Sequence, residues 1–221
     1  DRVLDNRLAG ERKQRLAGHP RGAHAGNDHA SGVNAIHALS YLIPKVEAIT
    51  DYAGGITASV GIVSGGTAKN TVPEQAEITI DTRFETAAAA AEVVAKLEAL
   101  VADPFAGCHG FPARLRSATF ELVGGVTRPP MEPSEGNQAL RRAYEPHAAA
   151  AGLKIGAAPL QGGGSDANLL AGLGVACIDG LGPYGKYYHR VQEWSSLTSL
   201  RQRTQALASY LAAELEGLST S

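Results

Sequence analysis

Metal-ligand spacing is what this sequence most plainly lacks. No HxH, HxxEH or HExxH arrangement occurs among its 7 histidines, so no local stretch places two imidazoles on one metal ion. Cysteine is scarce: Cys108 and Cys177 are the only two, too few for a disulfide framework or a thiolate metal site. Each reads as a small buried hydrophobe. Excess charge is missing too, since 20 Lys and Arg stand against 22 Asp and Glu for a formal net charge of −2. That balance points away from a nucleic acid or a membrane surface as the main partner. Charge or glycine interrupts every apolar stretch well short of the roughly 20 residues of a membrane span. The opening residues, DRVLDNRLAGERKQRLAG, are charged where a signal peptide would be apolar.

What is present suits a globular chain. Apolar residues make up 44% and charged residues 19% of 221, enough to bury one sizeable core or two smaller ones and inconsistent with disorder. Residues 1–21 are polar and basic without clean periodicity and stay unassigned; RKQRLAGHPRG makes a poor strand, and a first strand is missing from this region. AHAGNDHASG follows as a turn-rich segment. Ser31 is placed to cap a helix bearing Val33, Ile36, Leu39, Leu42, Ile43 and Val46, which Pro44 kinks or ends. ITASVGIVSGG and AEITIDTRF alternate as strands, the second with Ile78, Ile80 and Thr82 on one side and Thr79, Asp81 and Arg83 on the other. An alanine-rich helix spans 86–101, and a weaker strand covers 119–123. Helices and strands in this order suit a small antiparallel sheet with helices on one face.

TRPPMEPSEG, with Pro129, Pro130 and Pro133, is the best boundary between two patterned regions. Beyond it the spacing predicts a helix over 137–151, a strand near 155–160 and a closing amphipathic helix in SSLTSLRQRTQALASYLAAELEGL. Between them lies Gln161–Glu193, QGGGSDANLLAGLGVACIDGLGPYGKYYHRVQE. Its three glycines let another group approach the backbone. Ser165 and Asp166 read as the cap and first turn of a helix that favours an anion. VACID reads as a buried strand, and a glycine-rich loop then delivers His189 four residues before Glu193. Strand ends followed by such loops are where α/β proteins place ligand chemistry.

Single residues in this sequence signal little. His189 is a good zinc ligand by type, yet a catalytic zinc takes about three protein ligands. Arg83 can grip a substrate carboxylate with its guanidinium fork or simply pair with Asp81 on the same strand face. Asn70 in GGTAKNTVP suits a turn as well as a ligand. His24, between two alanines, is equally ambiguous.

Taken in order, AHAGN, GG-x-x-x-N-x-x-P, D-x-R, GGGSDAN and the H-x-x-x-E ending resemble zinc-dependent exopeptidases and amidohydrolases. The group is that of glutamate carboxypeptidase, acetylornithine deacetylase and succinyl-diaminopimelate desuccinylase, and AHAGN followed by SGVNAI is most similar to its glutamate carboxypeptidase branch. The resemblance runs from about Gly22 to the C-terminus. It implies a ferredoxin-like, two-layer lid and dimerisation domain over 22–125. The C-terminal part of an α/β zinc-exopeptidase catalytic domain then follows over 134–221. It further implies that His189 is the last ligand of a two-zinc cluster and that His24 helps hold the substrate carbonyl. Asn70 and Arg83 would bind the substrate's carboxylate end, and the backbone of Gly162, Gly163 and Gly164 would line the same pocket. Glu193 would support the His189 loop.

The family's other ligands and its general-base glutamate precede the lid, and nothing before Ala23 resembles them. The expectation is therefore a C-terminal portion of a metal-dependent hydrolase that cleaves an amide beside a carboxylate, inactive alone and dimeric through its lid. Its substrate would be a small peptide or N-acyl amino acid. Two alternatives stand beside it: a non-catalytic dimerisation module, and a parent enzyme that is an N-deacylase or carbamoyl-amide hydrolase. Localisation is not fixed by the sequence; a cytoplasmic setting is favoured, with a secreted or periplasmic parent left open.

Overall fold

The computed structural model describes residues 10–18, 23–156 and 163–219, the first of these by its backbone alone. These divide into two units, Gly10–Pro130 and Met131–Ser221.

In the N-terminal unit a four-stranded antiparallel sheet is built from β1 (Gly10–Gly18), β3 (Ile56–Gly65), β5 (Ala76–Phe84) and β6 (Phe120–Arg128). The order across it is β3-β5-β1-β6. A separate two-stranded pair joins β2 (Ala23–His24) to β4 (Thr71–Val72). Helices α1 (Ala35–Ser40) and α2 (Ile43–Glu47) lie between β2 and β3, and α3 (Ala87–Ala102) follows β5. Taken by the four long strands, this is the ferredoxin-like arrangement, with its helices on one face.

The core explains why the helices choose that face. Along β5 the even-numbered residues Ala76 to Phe84 are buried and the odd-numbered ones are half-buried, the alternation of a strand with one packed side. Ile78, Ile80 and Phe84 are fully buried against Leu39, Leu42 and Val46 of the first helical segment and Val93 and Leu97 of α3. Each such side chain contributes about 1.5–3 kcal/mol by leaving water. Thr86 caps α3 by accepting the Ala89 N–H at 3.1 Å.

Three expectations change here. Residues 10–18 are not outside the fold: β1 is an interior strand, paired antiparallel with β5 on one side and β6 on the other. Backbone ladders on both flanks hold it whether or not its sequence alternates, which is why propensity missed it. The segment after AHAGNDHASG forms two short helices, with Pro44 in the first turn of the second, where a proline lacks no needed N–H. The cap is Asn34, whose Oδ1 accepts the His37 N–H at 2.9 Å, rather than Ser31.

The C-terminal unit contains α4 (Glu135–Ala150), α5 (Ala167–Gly172), the short paired strands β7 (Gly185–Lys186) and β8 (Trp194–Ser195), and α6 (Leu197–Ser219). Helices α4 and α6 pack through Tyr144, Ala148 and Ala206, all fully buried. The predicted strand near 155–160 lies mostly outside the described residues, and Ile155 and Gly156 carry no strand. In VACID, expected as a strand, only Asp179 carries a bridge among the described residues. Cys177 at its centre is nevertheless buried, its N–H given to Asn137 Oδ1 at 2.7 Å. Among the described residues no helix is long and apolar enough to cross a membrane.

Candidate functional site

His24 is the most tightly specified of the expected site residues. Pairing of β2 with β4 sets it opposite Thr71, and the Ala25 N–H donates to the Asn70 carbonyl at 3.0 Å. His24 and Asn70 are therefore neighbours by backbone geometry. The chain then turns back so that the Gly26 and Asn27 N–H groups both donate to His24 Nδ1, at 3.2 and 3.1 Å. A ring nitrogen that accepts carries no proton, so the neutral imidazole holds its hydrogen on Nε2. An exposed Nε2–H is a donor fixed in direction by the turn beneath it, suited to a carbonyl or carboxylate oxygen.

Gly32 makes this turn possible. A Cβ at that position would come within 2.9 Å of the Ala23 Cβ and 3.0 Å of the Val72 Cβ. Only glycine lets the end of the 3-10 turn His29–Ser31 lie so close to the β2–β4 pair.

Arg83 sits on the half-buried odd-numbered face of β5. Its Nε donates to Asp81 Oδ2 at 2.9 Å and its Nη2 to Asp81 Oδ1 at 3.2 Å. The ion-pair reading of D-x-R is the one observed. Nε and Nη2 are thus engaged by Asp81.

In the C-terminal unit, Gly163 and Gly164 lead into α5, and Gly162 lies outside the described residues. Asn168, fully buried, accepts the Ser165 N–H through Oδ1 at 2.8 Å, and Ser165 Oγ accepts the Ala167 N–H at 3.3 Å. Asp166 is the N-cap residue but its side chain makes no cap bond. The helix it opens has only six residues, too short for the anion preference expected from its dipole. Asn168 and Asn137 are structural keystones that sequence reasoning passed over; for Asn168 the signal available was an asparagine inside an otherwise apolar helix start.

His189 lies in the hairpin between β7 and β8. Its φ of +64° and that of Tyr187, +63°, are left-handed in residues with a Cβ, a conformation that costs energy and collects at functional loops. The loop is held by the His189 N–H donating to Glu193 Oε2 at 3.1 Å. It is held also by Arg190 N–H to the Tyr187 carbonyl and Glu193 N–H to the Arg190 carbonyl, both at 3.0 Å. Gly185 admits the return strand, since a Cβ there would stand 2.5 Å from the Trp194 carbonyl oxygen. Glu193 thus braces the backbone that presents the imidazole.

Among the described residues no three of His, Cys, Asp and Glu come together in a way that could hold a metal ion. His189 alone does not fit a catalytic zinc, which needs about three protein ligands.

Residues 13–107 match the family of the peptidase dimerisation domain. Three solved structures share the fold. Aminopeptidase PepT from Bacillus cereus superposes with a TM-score of 0.72 at 21% identity, over 95% of this chain and 54% of that one. A tripeptidase from Staphylococcus aureus gives 0.71 at 17%, over 94% and 52%. An amidase of the hydantoinase/carbamoylase family from Burkholderia vietnamiensis gives 0.69 at 21%, over 96% and 50%. Identities this low establish the fold alone, and the chain spans about half the length of these structures. No curated protein matches the sequence.

Proposed function

We propose that this chain is the dimerisation lid and the C-terminal catalytic portion of a metal-dependent amide hydrolase, of the kind that cuts beside a carboxylate. The observation that carries this reading is His24 within the segment matched to the peptidase dimerisation domain: an imidazole locked by two backbone N–H groups to offer Nε2–H outward. In hydrolysis of an amide, charge develops on the carbonyl oxygen, and a donor fixed in advance stabilises it without reorganisation. Within the same unit Asn70, on the neighbouring strand's approach, and Arg83 supply polar contacts for a carboxylate end of the substrate. Zinc would act on the water and carbonyl in the intact enzyme. This chain's described residues offer it one ligand, His189, so no step through the metal is assigned to them.

Two consequences are measurable. The purified 221-residue chain, supplied with zinc, should show no hydrolysis of acyl-glutamate or dipeptide substrates above the no-protein rate. Clear zinc-dependent turnover would overturn the incomplete-site reading. A longer protein carrying this chain, tested on a panel of peptidyl, acetylated and carbamoylated amino acids, should prefer the peptidyl and acyl-glutamate members. Preference for carbamoylated substrates would move the reading toward the amidase class. Self-association through the N-terminal unit is proposed with it, on the strength of the matched segment. A strictly monomeric chain in sedimentation at micromolar concentration would remove it, together with the alternative of a purely associative module.

A further inference from the structure

Tyr184 and Ser196 are the two feet of the hairpin that carries His189, one just before β7 and the other just after β8. Hydrogen bonds tie these feet to each other and to the start of α6. The Ser196 N–H donates to the Tyr184 carbonyl at 2.8 Å, and the Tyr184 N–H donates to Ser199 Oγ at 2.8 Å. The Ser199 hydroxyl donates in turn to the Ser196 carbonyl at 3.0 Å. One turn further along α6, Arg203 donates through Nη1 to the Gly180 carbonyl.

A cavity of about 220 Å³ opens at this base, walled by both feet, by one side of the first two turns of α6, and by residues 152–154 after α4. Its chemistry is one-sided. Two lining residues are cations, Lys154 and Arg203, and none is an aspartate or glutamate. Among the described residues, the side chains of Lys154, Thr198 and Gln202, all in the wall, enter no hydrogen bond or ion pair. Arg203 is only 7% exposed, and burial lowers its pKa. A positive charge held so far from water gains from an anion beside it. The positive end of the dipole of α6, a 23-residue helix, lies at the same wall. Volume limits the occupant: pockets for drug-sized ligands run to roughly 300–1,000 Å³, so this one takes a compact group.

We propose that this cavity binds a small oxyanion, a carboxylate or phosphate group, through Lys154 and Arg203, with the Thr198 hydroxyl and the Gln202 amide as further donors. Its occupant would bear on the groups that anchor both feet of the hairpin. The site is independent of the hydrolase reading, because none of its residues is assigned there to substrate or metal.

Trp194 reports on the site. It is the chain's single tryptophan, and its ring meets that of Tyr184 edge-on with centroids 5.6 Å apart. The 221-residue chain is titrated with inorganic phosphate, and in a parallel arm with acetate, at an ionic strength held constant with sodium chloride. Trp194 fluorescence should change along a saturating curve with one or both anions, and the tighter of the two assigns the group as phosphate or carboxylate. Sodium chloride alone should give no saturation.

The variants use Lys154, which is exposed, and Gln202, which is half-buried; Arg203 stays in place because its bond to Gly180 belongs to the fold. Gln202→Glu sets a carboxylate in the wall and should abolish saturation, with a far-ultraviolet circular dichroism spectrum matching the parent. Lys154→Gln should weaken the apparent affinity at least about threefold. Lys96→Gln, on α3 of the other unit, should leave the curve unchanged. Responses to phosphate and acetate that both stay as unsaturated as that to chloride would overturn the site. So would saturation that survives Gln202→Glu and Lys154→Gln with unchanged affinity.

Discussion

Arg83 and Asp81, two residues apart on one face of β5, form a two-point ion pair with Nε and Nη2 on the two carboxylate oxygens at 2.9 and 3.2 Å. The carboxylate occupies both Nε and Nη2 of the fork, so a ligand anion at this place would meet a guanidinium that already holds an anion.

Removing the carboxylate should therefore separate stability from binding. Both side chains are about a third exposed, at 30% and 41%, and such pairs contribute about 0–1 kcal/mol. Asp81→Ala is expected to lower the unfolding free energy by less than about 1 kcal/mol in urea titration. In a longer, active protein carrying this chain, Arg83→Ala should raise KM for carboxylate-bearing substrates far more than for their amides. Equal effects on both would remove Arg83 from the substrate's carboxylate.

Gly32, buried at the end of a short turn, should prove intolerant of any side chain. The atoms a new methyl would meet belong to Ala23 and to the branched Val72 Cβ, which cannot swing aside. Gly32→Ala is expected to cost about 1–3 kcal/mol and to loosen the His24 turn. The check is the nitrogen-15 signature of His24: a single Nε2–H tautomer in the parent chain and a tautomer mixture in the variant.

The sheet core should be the most sensitive part of the N-terminal unit. Phe84 is fully buried at the end of β5, packed with Ile56 and α3. Phe84→Ala removes its transfer energy and leaves a cavity, for an expected loss of about 3–5 kcal/mol, read by chemical denaturation of the N-terminal unit's transition.

Tyr144 offers a test in the alkaline range. Its hydroxyl is fully buried with no hydrogen-bond partner among the described residues. Burial pushes its pKa above the ordinary 10.0, with Arg203 pulling the other way. A group whose pKa is raised by folding favours the folded state while protonated. That support is complete below the unfolded value near 10 and is lost as pH climbs through the raised folded value. Tyr144→Phe should accordingly be neutral or slightly stabilising at pH 7, since an unpaired buried hydroxyl contributes nothing, and should hold its fold to higher pH than the parent. An earlier alkaline transition in the variant would show that the hydroxyl is satisfied after all.

How legible the fold was depended on whether a segment's own pattern carried its placement. AEITIDTRF declares its strand, its faces and its ends, and the structure matches it residue for residue. Thr86 and the alanine run declare α3. Pro44 declares a break. β1 could not be read in this way: its residues 10–18 do not alternate, and their place is set by β5 and β6 on either flank. VACID shows the reverse case, a strand-like run in which Asp179 alone carries a bridge among the described residues.

The candidate site divides similarly. The turn-rich AHAGN marked His24 as worth attention, but only the fold shows two backbone N–H groups aimed at Nδ1, which fixes the donor on Nε2. D-x-R allowed both a substrate clamp and an internal ion pair; strand geometry forms the pair by placing both side chains on one face, and the clamp is what Arg83→Ala tests. Glu47 carried no signal at all as a surface helix residue. Its bond from the Val60 N–H exists only because chain reversal brings the end of α2 against the β3 edge.

By itself, then, the sequence determined what depends on spacing within a segment: which faces are apolar, where helices begin, and where glycine permits a close approach. Tertiary structure decided which strand becomes interior, which donors and acceptors are consumed, and which edge groups stay open. Hydrogen-bonding capacity is a local property of each residue, but its use is settled by whatever the fold sets beside it.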